Sequence, residues 1–212
     1  MSTVALKDRQ FWEKIADRYA KQPISDEEAY QKKLQITQAF LSKEMKVLEF
    51  GCGTGSTAIQ HAPFVDHILA TDLAQSMLDI GKQRAEAAGV NNISFECASI
   101  EDLDAEPASF DVVLGLNILH LCRNPRAIME KVNTLLKPGG YFIQSTVCLK
   151  DIMPIGRFAI PVMQMLGKAP YVNAMSCEAL YADLDAAGFH IVEQYYPEGR
   201  SAVFIVASKA LE

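Results

Sequence analysis

The sequence predicts an α/β fold: a doubly wound, mostly parallel seven-stranded sheet ending in an antiparallel hairpin. Helices cover both faces, and a helical extension precedes the sheet. Three observations carry this. Short apolar runs alternate with segments of helical spacing between residues 46 and 147, a pattern that requires right-handed crossovers between parallel strands. A glycine-rich turn, Gly51–Gly55, stands where the first apolar run meets a helix. Near the end, Phe189–Tyr196 and Ala202–Ser208 are separated by only Pro197–Arg200 and Ser201. A loop that short cannot hold a parallel crossover, so the last two strands are antiparallel.

Taken in order, Phe11, Trp12, Ile15, Ala16 and Tyr19 fall at helical spacing, and Pro23 closes that segment. A second helix is expected from about Asp26 to Leu41. The first strand reads Lys46–Phe50, and a helix follows its turn from about Ser56. Strand His67–Thr71 ends at Asp72, and Met77, Ile80, Ala85 and Ala88 then form a helical stripe that stops at Gly89. Ile93–Cys97 is a third strand, and Phe110–Leu116, almost unbroken in apolar character, a fourth buried on both faces. Asn124-Pro125 makes an N-cap and first-turn pair for a helix that carries Ile128, Val132, Leu135 and Leu136. Pro138-Gly139-Gly140 turns into strand Tyr141–Val147, and a helix from Ser176 to Gly188 leads to the hairpin.

With 212 residues, half of them apolar and 22% charged, the chain reads as one globular domain with additions. Its net charge of -6, without any Lys/Arg cluster, argues against nucleic acid as the partner. Five cysteines, Cys52, Cys97, Cys122, Cys148 and Cys177, show no CxxC spacing, so sequence indicates neither a zinc site nor a disulfide framework. Four lie in or beside apolar runs, as buried, reduced thiols of a cytoplasmic protein would. Met1–Gln10 has no signal-peptide core, and the apolar stretch Ile152–Leu166 is broken by Pro154, Gly156, Arg157, Pro161 and Gln164. No membrane span is expected.

The most informative run is Val47-Leu48-Glu49-Phe50-Gly51-Cys52-Gly53-Thr54-Gly55. Its glycines alternate where a buried strand meets a helix, which lets the chain turn sharply and a ligand approach the backbone. A dinucleotide fingerprint needs GxGxxG, but the sixth position here is Ser56, and no GK[ST] of a P-loop follows. Glu49 stands two residues before the turn. A carboxylate there suits a ligand bearing an ammonium or sulfonium charge better than a pyrophosphate.

This run resembles motif I, (D/E)xGxGxG, of the class I S-adenosylmethionine-dependent methyltransferases. Ala70–Met77 resembles the acidic second-strand end of that family, Phe110–Leu114 its fourth strand, and Leu136–Gly140 the turn shared by its small-molecule branch. The resemblance implies a layout of N-terminal helical cap (1–44), cofactor-binding core (45–147), lid-like insertion (148–175) and C-terminal helix with hairpin (176–212). It implies S-adenosylmethionine as cofactor, converted to S-adenosylhomocysteine, and a small-molecule methyl acceptor. Gly51, Cys52, Gly53 and Gly55 would pass close to the methionine part, with Glu49 facing its positive end. Asp72 would accept from both ribose hydroxyls, a role for two carboxylate oxygens, and Leu73 would pack on the adenine. Where the family often has an adenine-binding Asp, this chain has Ser99 and Ile100. Asn117 falls where cofactor and acceptor meet, and Tyr19 matches an aromatic over the cofactor or, equally, a core residue of the first helix. Two other readings stay open: a nicotinamide-dependent oxidoreductase, and a cofactor-binding partner subunit without turnover.

On the acceptor side, His120 lies three residues beyond Asn117 and is the candidate general base, with a structural role as its alternative. Tyr30 and Lys33 could line the same mouth as Tyr19, although surface or packing roles are the plainer reading. The insertion carries Met153, Phe158, Met163, Met165 and Tyr171. It could line a partly apolar acceptor site as a lid, form a homodimer contact, or cap the sheet.

Overall fold

Seven strands build one sheet: β1 (Lys46–Phe50), β2 (His67–Asp72), β3 (Ile93–Cys97), β4 (Phe110–Leu116), β5 (Leu136–Thr146), β6 (Phe189–Tyr195) and β7 (Val203–Lys209). Their order is β3-β2-β1-β4-β5-β7-β6, and β7 alone runs in the direction opposite to the other six. The computed structural model describes residues 3–152, 160–165, 169–197 and 202–211. Strand order reverses between β1 and β4, and at such a switch point a crevice opens beyond the carboxyl ends of the strands.

The sheet is buried on both faces, which is why its strands read as apolar runs. Val47 and Leu48 are both wholly buried, yet they join different cores, because successive strand residues face opposite ways. Leu48, Phe50, Val113 and Phe142 pack with Ile128, Val132 and Leu135 of α5 (Pro125–Leu135) and with Leu180 and Leu184 of α8 (Cys177–Ala186). Val47, Ile68, Leu114 and Ile143 pack with Ala58 of α3 (Ser56–His61) and Leu78 of α4 (Gln75–Ala87). Full burial of each large aliphatic side chain contributes about 1.5–3 kcal/mol.

Caps fix where helices begin. Asn124 accepts the Ala127 amide at 3.2 Å and Pro125 fills the first turn of α5, as the sequence predicts. Asp26 caps α2 (Glu27–Gln38) through the Ala29 amide at 2.9 Å. Ala74, which precedes α4, has no capping side chain. Glu13 of α1 (Thr3–Ala20) supplies it from a distance, accepting the amides of Gln75 and Ser76 at 2.9 Å each. Ala16, Met77 and Ala74 pack beneath, so α1 is fastened over the start of α4.

Several boundaries move. The first helix starts before its apolar stripe, at Thr3, and the second stops at Gln38 rather than Leu41. The fifth strand begins at Leu136 rather than Tyr141. Leu136 already pairs with Phe110, and the ladder resumes at Val112 and Tyr141 across an irregularity that the Lys137–Asp111 ion pair, 2.7 Å, bridges. Only Cys52 and Cys148 are buried; the other three cysteines are half-buried. Met153 and Phe158 of the insertion, and residues 198–201 of the hairpin turn, lie outside the described residues. The described part of the insertion holds α6 (Leu149–Ile152) and α7 (Ile160–Met165), with Met163 and Met165 exposed. No described helix is long and apolar enough to cross a membrane.

Candidate active site

A cavity of about 750 Å³ opens at the switch point. Its floor is the glycine loop after β1, and its walls are the ends of β2 and β4 and the turn after β3. Trp12 and Tyr19 of α1 and Tyr30 of α2 close over it. The volume lies within the range of small-molecule sites.

The loop has the conformation that its glycines permit. Gly51 and Gly53 have φ of +66° and +54°, values that an L side chain rarely adopts. A Cβ on Gly51 would stand 2.6 Å from Ile118 Cγ1, and one on Gly53 would meet the Tyr19 ring at 3.7 Å. Tyr19 therefore lies over the loop, with Trp12 edge-on to it at 6.1 Å. Gly55 does something else. It precedes α3 in a left-handed conformation, packs against Phe95 and does not line the cavity.

Two carboxyl groups meet beside the loop. Asp72 accepts the Gly53 amide with Oδ2 and the Ala74 amide with Oδ1, both at 2.9 Å. It ties β2 to the glycine loop and keeps further lone pairs for a ligand. Burial raises its pKa against the pull of these hydrogen bonds. Glu49 is 3% exposed, and its Oε2 has no hydrogen-bond partner. Burial, helped by the neighbouring Asp72, pushes its pKa up to about 8. An orphaned, buried carboxyl oxygen of this kind awaits a positively charged donor.

Cys52, Leu73, Ser99 and Ile100 line the cavity as well. The Ser99 hydroxyl oxygen accepts the Asp102 amide at 3.0 Å, which fixes its orientation at the wall. Asn117 has φ +56°, the left-handed conformation that Asn tolerates better than most residues. Its amide oxygen accepts from Ser145 Oγ at 3.2 Å, and Lys33 Nζ donates to that same hydroxyl at 3.3 Å. Among the described residues, Asn117 Nδ2 makes no hydrogen bond, and Asn117 lines the cavity.

His120 sits in a 3-10 turn, Leu119–Leu121, beside the cavity and outside its lining. Burial lowers its pKa to about 4, and its Nδ1 has no partner. Its carbonyl accepts the Asn173 amide at 2.7 Å, and Arg123 stacks on the Tyr171 ring at 3.9 Å. The stretch 171–173 thus folds back on the turn whose Leu121 and Cys122 line the cavity.

Three further residues contribute: Tyr30 and Lys33, for which the plainer reading of the sequence is a surface or packing role, and Arg84, which the sequence does not single out. Tyr30 lines the cavity, and Lys33 reaches Ser145 from α2. Arg84 donates to Thr54 Oγ1 at 2.7 Å, Ser56 Oγ at 3.0 Å and the Ala20 carbonyl at 2.7 Å, joining α1, the glycine loop and α4. These partners lie up to 112 positions away in the chain, so spacing gives no sign of them.

The methyltransferase domain family matches residues 41–184, more than half of the chain. The chain belongs to the class I S-adenosylmethionine-dependent methyltransferases. Over 103 residues it is 38% identical to the ubiquinone biosynthesis O-methyltransferase of Idiomarina loihiensis, a match that covers 48% of this chain and 42% of that one. The chain spans less than half the length of the curated relatives it matches first. An S-adenosylmethionine-dependent methyltransferase structure from Mesorhizobium loti aligns with a TM-score of 0.70 at 19% identity, covering 83% of this chain and 95% of the other. The [4+2]-cyclase SpnF aligns with a TM-score of 0.71 at 18% identity, covering 84% and 81%. At such identities the likeness is one of fold, and a shared fold does not fix the reaction.

Proposed function

We propose that this methyltransferase binds S-adenosylmethionine in the cavity and transfers its methyl group to a small-molecule acceptor. The observation that carries this reading is the unpartnered, buried Glu49 carboxyl beside Asp72 at the glycine loop. Two acids against the loop repel a pyrophosphate and attract the ammonium and sulfonium groups of S-adenosylmethionine, which disfavours the nicotinamide reading.

The bound cofactor supplies an electrophilic methyl group on sulfur. Gly51, Cys52 and Gly53 take the methionine part, Glu49 its ammonium group and Asp72 the ribose hydroxyls. Leu73, Ser99 and Ile100 take the adenine, and Tyr19 closes over the cofactor. Gly55 supports the loop from behind. Much of the rate enhancement comes from holding donor and acceptor in line and excluding water. Asn117, held by Ser145, which Lys33 in turn steadies, presents an amide donor to the acceptor.

The relatives' O-methyltransferase name supports oxygen as the receiving atom. A hydroxyl acceptor must lose its proton, and His120, neutral at physiological pH, is the base we assign. Because its ring stands outside the lining and its Nδ1 is buried, the acceptor or a bridging water must reach the other ring nitrogen, Nε2. The insertion 148–175 is the acceptor-side lid in this reading. The return of residues 171–173 onto the His120 turn supports that, and the exposed Met163 and Met165 give it apolar surface for an acceptor or a second copy of the chain. A cytoplasmic setting accords with cysteines that are all free.

Calorimetric titration with S-adenosylhomocysteine, with NADH as control, tests the reading. Binding of the first alone, weakened in Glu49→Gln, is expected. Binding of NADH alone, or of neither ligand, would overturn it.

A further inference from the structure

Away from the cavity, at the base of the insertion, three metal-ligating side chains converge. Cys148 follows β5, Asp151 lies in α6, and Cys177 is the first residue of α8. Their two sulfurs and a carboxylate oxygen all lie within 4.8 Å of one another. Among the described residues, no other three His, Cys, Asp or Glu side chains gather so closely. None of the three lines the cavity, and methyl transfer uses none of them.

We propose that Cys148, Asp151 and Cys177 form a binding site for a thiophilic divalent cation, zinc in particular. Two sulfurs and one oxygen suit zinc and exclude magnesium or calcium, which take oxygen ligands. Zinc–sulfur bonds of about 2.3 Å and zinc–oxygen bonds of about 2.0–2.2 Å put tetrahedral ligands roughly 3.5–3.8 Å apart. Small side-chain rotations close the present spacing to that. Water fills the fourth position.

The surroundings favour ligation. The Cys177 amide donates to Asp151 Oδ2 at 2.8 Å, which orients the carboxylate and leaves Oδ1 for the ion. Burial, together with the neighbouring Asp151 carboxylate, raises the Cys177 thiol above its usual range, so both thiols keep their protons until an ion displaces them. Cys148 is 3% exposed, so a charged ligand set there is shielded from water on one side. Tyr181, one turn further along α8, is not a ligand, because its hydroxyl is engaged with Gln194 and Tyr196. Binding displaces one proton from each thiol to solvent and forms two metal–sulfur bonds, with no change of oxidation state. The bound ion joins the end of β5 to the start of α8 and closes the base of the insertion. Chain spacing hides this site, since Asp151 and Cys177 stand 26 residues apart.

The test is titration of the reduced full chain with cobalt(II), followed by zinc competition. One equivalent should bind, with a thiolate charge-transfer band and the strong visible absorption of tetrahedral cobalt, and zinc should displace it. Cys148→Ser/Cys177→Ser should lose both signals, and Asp151→Asn should bind at least about tenfold more weakly. Should the double variant unfold, zinc protection of Cys148 and Cys177 from iodoacetamide in the wild-type chain, mapped by mass spectrometry, gives the same answer. Equal cobalt binding by a folded double variant overturns the site. So does a reduced wild-type chain that binds no cobalt or zinc, including one whose two thiols only form a disulfide when reductant is removed.

Discussion

Asp72 Oδ2 accepts the backbone N–H of Gly53 at 2.9 Å, so the end of β2 holds the glycine loop that follows β1. The carboxylate proposed to bind the ribose is thus also the brace of the surface on which the cofactor lies. Its second oxygen is engaged too, by Ala74 at the start of α4. Asp72→Ala should lower both thermal stability and S-adenosylhomocysteine affinity, the latter by about 1–3 kcal/mol. Asp72→Asn should behave similarly, because an amide nitrogen would face one of the two N–H donors. Calorimetry and thermal melts check this; a lower melting temperature with unchanged affinity would confine Asp72 to bracing the loop.

Glu49 should make cofactor binding release a proton. Its folded-state pKa is raised from 4.5 to about 8 by burial and by Asp72. Such a raised carboxyl stabilises the ligand-free fold fully below pH 4.5, and that contribution is lost as pH rises through about 8. A cationic ligand drives Glu49 to ionise. At pH 6.5–7 the apparent binding enthalpy of S-adenosylmethionine should therefore follow the ionisation enthalpy of the buffer. Glu49→Gln should remove that dependence; its survival in the variant would assign the proton to another group.

Glu13 should influence the cofactor site without lining it. It caps α4 from α1, the helix that lays Tyr19 over Gly53. Burial raises the Glu13 pKa, but hydrogen bonds from Ser76 and Gln75 outweigh it and leave the value below 4.5. Its stabilising contribution is present above pH 4.5 and disappears as pH falls through that lowered value. Glu13→Ala should cost about 1 kcal/mol, roughly 2–4 °C in Tm, and loosen cofactor binding. Melting curves with and without S-adenosylhomocysteine test this. Unchanged affinity would mean that Tyr19 stays in place without the cap.

Much of this arrangement was legible in the sequence, because strands buried on both faces write themselves as apolar runs and the glycine loop has few uses. β1, β3 and β4 fall on the expected residues, and Glu49, Gly51, Gly53, Asp72 and Asn117 meet at one cavity. Elements whose limits depend on distant partners were not legible. β5 begins early because Leu136 finds Phe110 across the bulge, and the cap of α4 comes from Glu13, 62 positions before Gln75. Likewise Gly55 fits the motif, but it faces Phe95 rather than the cavity.

His120→Ala should reduce turnover once an acceptor is in hand, without loss of far-ultraviolet circular dichroism. The backbone bond from Asn173 survives the substitution, since it uses only the carbonyl. A base acting from the neutral ring should give a kcat that falls with acid and a variant that has lost this limb. Full activity with an unchanged pH profile would leave His120 a purely structural residue.

His61 offers the sharpest test of how this fold tolerates acid. It closes α3 with no exposure, and neither ring nitrogen has a hydrogen-bond partner. Burial lowers its pKa from 6.5 to about 4. The native chain therefore keeps this ring neutral where the unfolded chain protonates it. Its favourable contribution is fully present above pH 6.5 and is lost as pH falls towards about 4. His120 shares the direction and the window. His61→Leu replaces two buried, unpaired polar atoms with apolar ones. The expected gain is about 1 kcal/mol at pH 7, where removing an unsatisfied polar group outweighs the change of shape. The gain should widen between pH 6.5 and 4. Denaturant unfolding of wild type and variant across that window measures it directly, and parallel pH dependences would show that His61 stays solvated in the folded protein.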